Sequence, residues 1–325
     1  MTLTRRHWLF MGGAAAMWGA SYLFIKIALR DFSAGAIVCV RTALGAAVLL
    51  ALAAHWGALR PLRGRLRAIA LVSVPQVTAP FLLITYGEGR IDSQLAGILI
   101  SSAPIFTALL AIAFDQAERV HGWAAVGIVV GMLGVLLLFG TDLAGSGDGL
   151  AGGLMVLLAG FGYAAGALLN KRLLPGAPPV GVAGGSMAVA AIVTLPLLVA
   201  TAPDHAPSFV AWGSLVLLGA GGTGIAFLFF YTLIAELGPS RASVIAYIAP
   251  GFSVAYGVLL LDEPFRPAAV GGLALILAGS WLAIQGRRPS PPAFATRSGP
   301  FRWTARGLRR ARRSPVGASR RGTDG

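Results

Sequence analysis

Ten stretches of about 20 residues with almost no charge follow one another along this chain, at roughly 8–28, 34–54, 68–87, 94–114, 121–140, 150–169, 180–200, 209–231, 242–261 and 268–285. A hydrocarbon core about 30 Å thick takes around 20 apolar residues to cross as a helix. Backbone N–H and C=O groups must pair within such a segment, because lipid offers no partner. The breaks carry charges or turn residues: Arg30-Asp31, Arg60 to Arg63, Arg90 to Asp92, Asp115 to Arg119, Asp142 to Asp148, Lys171-Arg172, Pro203 to His205, Pro239 to Arg241 and Asp262 to Pro267. Composition agrees, with 56% hydrophobic residues against 12% charged; soluble domains carry about 25%. The expected fold is an all-α membrane protein of ten transmembrane helices.

Lys and Arg are retained on the cytoplasmic side of short loops. With the N-terminus inside, inner segments hold Arg5, Arg6, Arg60, Arg63, Arg65, Arg67, Arg119, Lys171, Arg172 and Arg241, whereas outer loops hold Arg30, Arg90 and Arg266. Both termini are therefore expected to be cytoplasmic, in a plasma (inner) membrane. Thr4-Arg5-Arg6 followed by apolar residues and Ala14-Ala15-Ala16 imitates a cleaved export signal, but the apolar run continues to Leu29. That is too long for a signal core, so it is read as a retained first helix.

The net charge of +14 is concentrated in residues 287–325, where eleven arginines stand against Asp324. Such a segment has no apolar face to bury and is expected to be a disordered cytoplasmic tail. Its natural partner is the anionic headgroup layer, at about 1 kcal/mol per basic residue near the surface. No nucleic-acid partner is expected. Cys39 is the lone cysteine, so no internal disulfide can form.

Shifting the chain by 145 residues aligns Lys26 with Lys171, Thr78 with Thr223, Tyr86 with Tyr231, Glu118 with Glu263 and Gly134 with Gly279. These are the only two lysines present. Trp18 falls on Tyr163, and Pro104 falls one residue from register with Pro250. Each half has five helices, an odd number, so the second half enters from the opposite side. Two inverted five-helix repeats are expected, at 1–140 and 150–286, joined by an outer linker at 141–149. Inverted repeats of this kind place transporter sites near the midplane between the halves.

Trp18-Gly19-Ala20-Ser21 followed by Phe24-Ile25-Lys26 resembles the first-helix motif of EamA-type members of the drug/metabolite transporter superfamily. Ser102-Ala103-Pro104-Ile105-Phe106-Thr107 and the Glu118-Arg119 that follows resemble its fourth-helix region, and Ala249-Pro250 to Asp262-Glu263-Pro264 is the matching stretch of the second half. The resemblance covers about 8–285. It implies ten helices, a central cavity, and movement of amino acids, other metabolites or drugs. The second half keeps Lys171 and Glu263 but lacks a Trp-Gly start, so unequal contributions from the halves are implied.

Matching broken helices are the best pointer to such a site. Helix three carries Pro75, Gln76, Thr78 and Pro80, and its counterpart in helix eight reads Ala220-Gly221-Gly222-Thr223-Gly224-Ile225. Pro75, Pro80, Pro104 and Pro250 are the candidate hinges or gates. Proline removes a backbone donor and clashes one turn back. Arg41 lies too deep to face lipid cheaply, and is expected to face the bundle, a partner or an anionic substrate group; snorkelling outward is the competing reading. Lys26, close to its helix end, is expected to snorkel. Trp18, Tyr22 and Lys26 share a face, and Tyr163 repeats the aromatic position; either core packing or cavity lining fits. Tyr86, Ser102 and Tyr247 complete the candidate cavity.

Glu118 and Glu263, at loop starts, are read as caps or loop ion pairs, with a part in proton coupling as the competing reading. No cofactor or metal is expected, since His7, His55, His121 and His205 never stand at ligand spacing. No phosphate-cradling loop, no Gly-x-Ser-x-Gly and no paired buried carboxylates are found, which argues against an enzyme or ATP-driven pump. The expectation is a secondary carrier exporting a small molecule by alternating access. A lipid flippase, or a membrane-embedded enzyme or scaffold, stays open, as does association into a homodimer.

Overall fold

In the computed structural model, residues 4–114, 122–143, 145–201, 203 and 205–285 are described. The expectations for Glu118, Arg119 and the arginine-rich tail lie outside them. Ten helices follow the ten apolar stretches: α1 Arg5–Ala28, α2 Ala34–His55, α3 Leu66–Glu88, α4 Ser93–Phe114, α5 Trp123–Thr141, α6 Gly147–Leu173, α7 Pro179–Ala200, α8 Phe209–Leu237, α9 Val244–Leu260 and α10 Pro267–Gln285. The first eight are long and apolar enough to cross a membrane, and the last two are shorter apolar helices.

Several helices run past the apolar stretches because their polar ends are useful. Thr4 and His7 form a reciprocal capping box that starts α1 before its arginines. Ser33, Ser146 and Ser208 each accept a backbone N–H at the start of α2, α6 and α8. Lys171 and Arg172, expected in a break, instead fill the last turn of α6, where cations meet the negative end of the helix dipole. Gly238 closes α8 at φ 86°, a conformation that favours glycine.

Wide i→i+5 turns interrupt α3 at Val74–Thr78 and α8 at Leu217–Ile225. Adding 145 to the first range gives 219–223, inside the second. In α3 the disruption follows Pro75 and Pro80, which pack on Gly162 of α6; in α8 it falls on a glycine-rich run. Two different local chemistries thus produce the same interruption at equivalent places. Pro104 and Pro250 do not form an equivalent pair. α4 breaks at Ser101-Ser102, which puts Pro104 in the first turn of the following segment, where a missing N–H costs nothing. Pro250 lies inside α9, with Ser253 Oγ donating to its carbonyl at 2.9 Å.

The interhelical packing repeats the inverted pattern. α2 packs on α7 and α5 on α10, each helix against its own counterpart, while α1 packs on α8 and α9 as α6 packs on α3 and α4. Glycines set the closest crossings. On α5, Gly127, Gly131 and Gly134 face Gly272 and Gly279 of α10, and a Cβ on Gly279 would lie 2.5 Å from the Gly127 carbonyl oxygen. Small residues in membrane helices let backbones approach this closely.

Candidate functional site

Arg41 sits seven residues inside α2, about 10 Å from its start at 1.5 Å per residue. It is 7% exposed, so the side chain turns into the bundle and does not snorkel. Its Nε donates to Thr223 Oγ1 of α8 at 3.0 Å, and its guanidinium carbon stands 3.9 Å from the centre of the Phe81 ring of α3. A cation over an aromatic face in a desolvated place gains about 2 kcal/mol.

The interruption of α8 is what brings Thr223 to this point. Thr223 Oγ1 donates to the Leu218 carbonyl at 3.1 Å, across the widened turn. Gly45, one turn beyond Arg41, leaves room for it: a Cβ there would stand 2.6 Å from Thr223 Cγ2. Tyr22 of α1, Tyr163 of α6 and Glu88 of α3 lie within electrostatic reach of the guanidinium. Helices from both halves therefore converge on one buried cation.

A second group of charges borders this centre toward the distal end of the bundle, the end opposite the N-terminus of α1. Lys26, expected to snorkel, instead donates its ammonium to the carbonyls of Glu88 at 2.6 Å and Ile91 at 2.7 Å. The Glu88 carbonyl ends α3 and the Ile91 carbonyl lies in the connection just before α4, where helical donors are lacking, so the cation has a better partner than the headgroup layer. Glu88 is fully buried, and among the described residues neither side-chain oxygen meets a hydrogen-bond partner. Glu263, 9% exposed, caps α4 by accepting Ser93 N–H at 2.6 Å and Gln94 N–H at 3.1 Å. A carboxylate at a helix N-terminus is favourably placed. Lys26, Glu88, Asp92, Asp262 and Glu263 border a cavity of about 540 Å³. Two buried carboxylates thus share one locality, contrary to the sequence expectation, because residues 175 apart in the chain meet only in the fold.

The remaining candidates divide. Trp18 packs its ring against Phe227 and Phe230 of α8. Thr78 is buried beside Ser73, whose hydroxyl donates to the Ser186 carbonyl of α7 at 2.7 Å. Gln76 lies against Gly166 of α6, its Oε1 buried without a partner among the described residues. Ser102 Oγ is committed to the Leu99 carbonyl at 2.6 Å, at the break in α4. Tyr247 is half-buried near the start of α9. Tyr86 is 43% exposed and borders a separate distal cleft of about 520 Å³ with Thr85, Arg90 and Asp148. It leaves the Arg41 centre because the buried face of α3 runs through Phe81, Ile84, Thr85 and Glu88. Phe81 and Glu88 were missed in sequence. Their spacing of seven, two helical turns, places them on one face and was the available signal.

Polar clasps tie the halves at both ends. Asp31 accepts the Ser208 N–H at 2.7 Å and the Ser208 hydroxyl at 2.6 Å; these bonds hold its carboxyl below the ordinary carboxylate range. Ser33 and Thr201 join their hydroxyls beside it. At the proximal end Glu236 of α8 pairs with Arg6 at 2.6 Å and accepts His7 at 3.0 Å.

The EamA-like transporter family matches the chain at residues 7–140 and again at 150–285. An uncharacterized transporter of Archaeoglobus fulgidus is 27% identical over 282 residues, covering 87% of this chain and all of that protein. A probable amino-acid metabolite efflux pump of Escherichia coli is 26% identical, covering 84% of this chain and 92% of the pump. A probable terminal-alkyne amino-acid exporter of Streptantibioticus cattleyicolor is 27% identical, over 82% and 89% of the two chains. A crystal structure 20% identical in sequence superposes with a TM-score of 0.62, across 87% of this chain and 99% of the other, and shares the fold. Matched in both five-helix halves, this chain belongs to the EamA-like transporter family and is a multi-pass membrane transporter, not an enzyme.

Proposed function

We propose that the chain is a secondary carrier exporting a small amino acid or amino-acid-like metabolite by alternating access around Arg41. The observation that carries this reading is the state of the guanidinium. Its Nε donates to Thr223 and its face is covered by Phe81, while its Nη edge donates no hydrogen bond to the described residues. That edge is a planar two-donor fork, the geometry that matches a carboxylate. Tyr22 and Tyr163 from the two halves lie within electrostatic reach of it and supply hydroxyls and apolar area for a small solute. Relatives named for amino-acid metabolites point the same way.

Reconstituted protein should equilibrate a radiolabelled mixture of L-amino acids across proteoliposomes faster than empty vesicles do. Vesicles that scramble a labelled phospholipid but pass no carboxylate solute would make the chain a flippase. Both termini are placed on the cytoplasmic side in this reading, on the strength of the arginine-rich proximal loops. A periplasm-dependent reporter should be active when fused at Asp148 and silent at Arg65; the reverse pattern would overturn this topology.

A further inference from the structure

We propose that Glu88 is the proton-binding site that couples this carrier to a pH gradient. Its carboxylate is fully buried, ends α3, and offers four lone-pair positions that no described donor fills. An ionised carboxylate in that condition carries a large desolvation penalty. Retaining one inside a bundle, where glutamine would keep the size and carry no charge, makes sense if the group changes charge during the cycle. Glu88 also stands between the Arg41 centre and the distal cavity that it borders with Lys26 and Glu263. A proton arriving from the distal solvent therefore meets it before meeting Arg41.

Charged groups from several elements surround Glu88. From α1, the Lys26 ammonium and the Tyr22 ring lie within electrostatic reach. From α2, the Arg41 guanidinium does too. From the α9–α10 loop, the Glu263 carboxylate does so as well. Asp92, Asp262 and Arg30 border the cavity farther out, and Asp148 at the start of α6 borders the neighbouring cleft. Two cations and a second carboxylate thus stand around one buried carboxyl, so a change in solvation or in occupancy at Arg41 alters the field it meets.

The ligand is a proton and not a metal cation. The carbonyls of Glu88 and Ile91, which a cation would need, already accept the Lys26 ammonium. Both Glu263 oxygens accept backbone N–H groups of α4. Among the described residues no group of three or more His, Cys, Asp or Glu side chains could hold a metal ion. The step itself is a simple exchange: Glu88 binds one proton from the distal solvent and releases it at the proximal side, with no bond to carbon made or broken.

The transport arm of the test rests on reading the chain as a carrier; the spectroscopic arm needs no solute. In pH-difference infrared spectra of the full-length protein in liposomes, acidification should raise a protonated-carboxyl C=O band. The component of that band due to a buried carboxyl should disappear in Glu88→Gln and persist in Glu263→Gln. In proteoliposomes carrying a radiolabelled mixture of L-amino acids, one pH unit should drive up to about 10-fold accumulation for one proton exchanged per solute. Glu88→Gln should distribute the label about equally on both sides, with an exchange rate that no longer varies with pH. Glu88→Asp, a second variant should glutamine not fold, should keep the band with a shifted midpoint. An unchanged band in Glu88→Gln, an unshifted midpoint in Glu88→Asp, or a full gradient in Glu88→Gln would overturn the assignment. So would accumulation driven by a sodium gradient at constant pH.

Discussion

Arg41→Gln is expected to weaken binding of a carboxylate-bearing solute by about 1.5–3 kcal/mol, the range for hydrogen bonds to charged groups. That corresponds to roughly 10- to 150-fold in affinity. Glutamine keeps some length and polarity but loses the charge, the fork, and the cation over the Phe81 ring. Arg41→Lys should recover only part of the loss, because an ammonium cannot reproduce a planar two-donor edge. Thr223→Val separates recognition from support. It removes the 3.0 Å bond to Nε and leaves the Nη edge in place, so its cost should stay near 1 kcal/mol. Equilibrium binding and vesicle uptake of labelled amino acids, alongside thermal unfolding in detergent, read these outcomes. Unchanged uptake of every carried solute in Arg41→Gln would remove Arg41 from the site. Loss of folding together with uptake would make it a structural cation.

Gly279→Val should be the most damaging single substitution in the helical body. A Cβ on Gly279 meets only backbone, 2.5 Å from the Gly127 carbonyl oxygen and 2.6 Å from Gly131 Cα. No side chain can rotate aside, so α5 and α10 must separate along the whole seam. Overpacking costs about 1–3 kcal/mol where neighbours can shift and more where they cannot, so a loss above about 3 kcal/mol is expected. Gly271→Val on the same helix is the control. Its nearest neighbour is Leu137 Cδ2 at 3.9 Å, and a change within about 0.5 kcal/mol is expected, as for substitutions away from packed features. Thermal midpoints and monodisperse yield after detergent extraction compare the two. Equal behaviour of the two variants would show that the α5–α10 seam is looser than its geometry.

The same seam shows how far one-dimensional pattern carries. The match of Gly134 with Gly279 marks related positions in the two halves, and the fold sets these glycines on the two helices that pack against each other. The interruptions of α3 and α8 were likewise legible as prolines and a glycine run at equivalent positions. What could not be read was the role of a charge near a helix end. Lys26 and Glu88 each look like residues that reach for water, and their partners depend on which helix ends lie beside them. Sequence spacing also could not tell that Tyr86 turns away while Phe81, five residues earlier, turns in under Arg41.

The sequence by itself determined the number of helices, their inverted duplication and the family, because these follow from apolar length, an odd count per half and short local motifs. It also singled out Arg41, since the cost of a deep charge is set by depth alone. The tertiary structure decided everything that depends on which helices touch: the Arg41–Thr223–Phe81 centre, the capping of α3 by Lys26 and of α4 by Glu263, and the isolation of the Glu88 carboxylate. The physical reason is that in lipid nearly every apolar helix face looks alike. A buried polar group is satisfied or stranded according to the donor that a neighbouring helix presents, and that donor is remote in sequence.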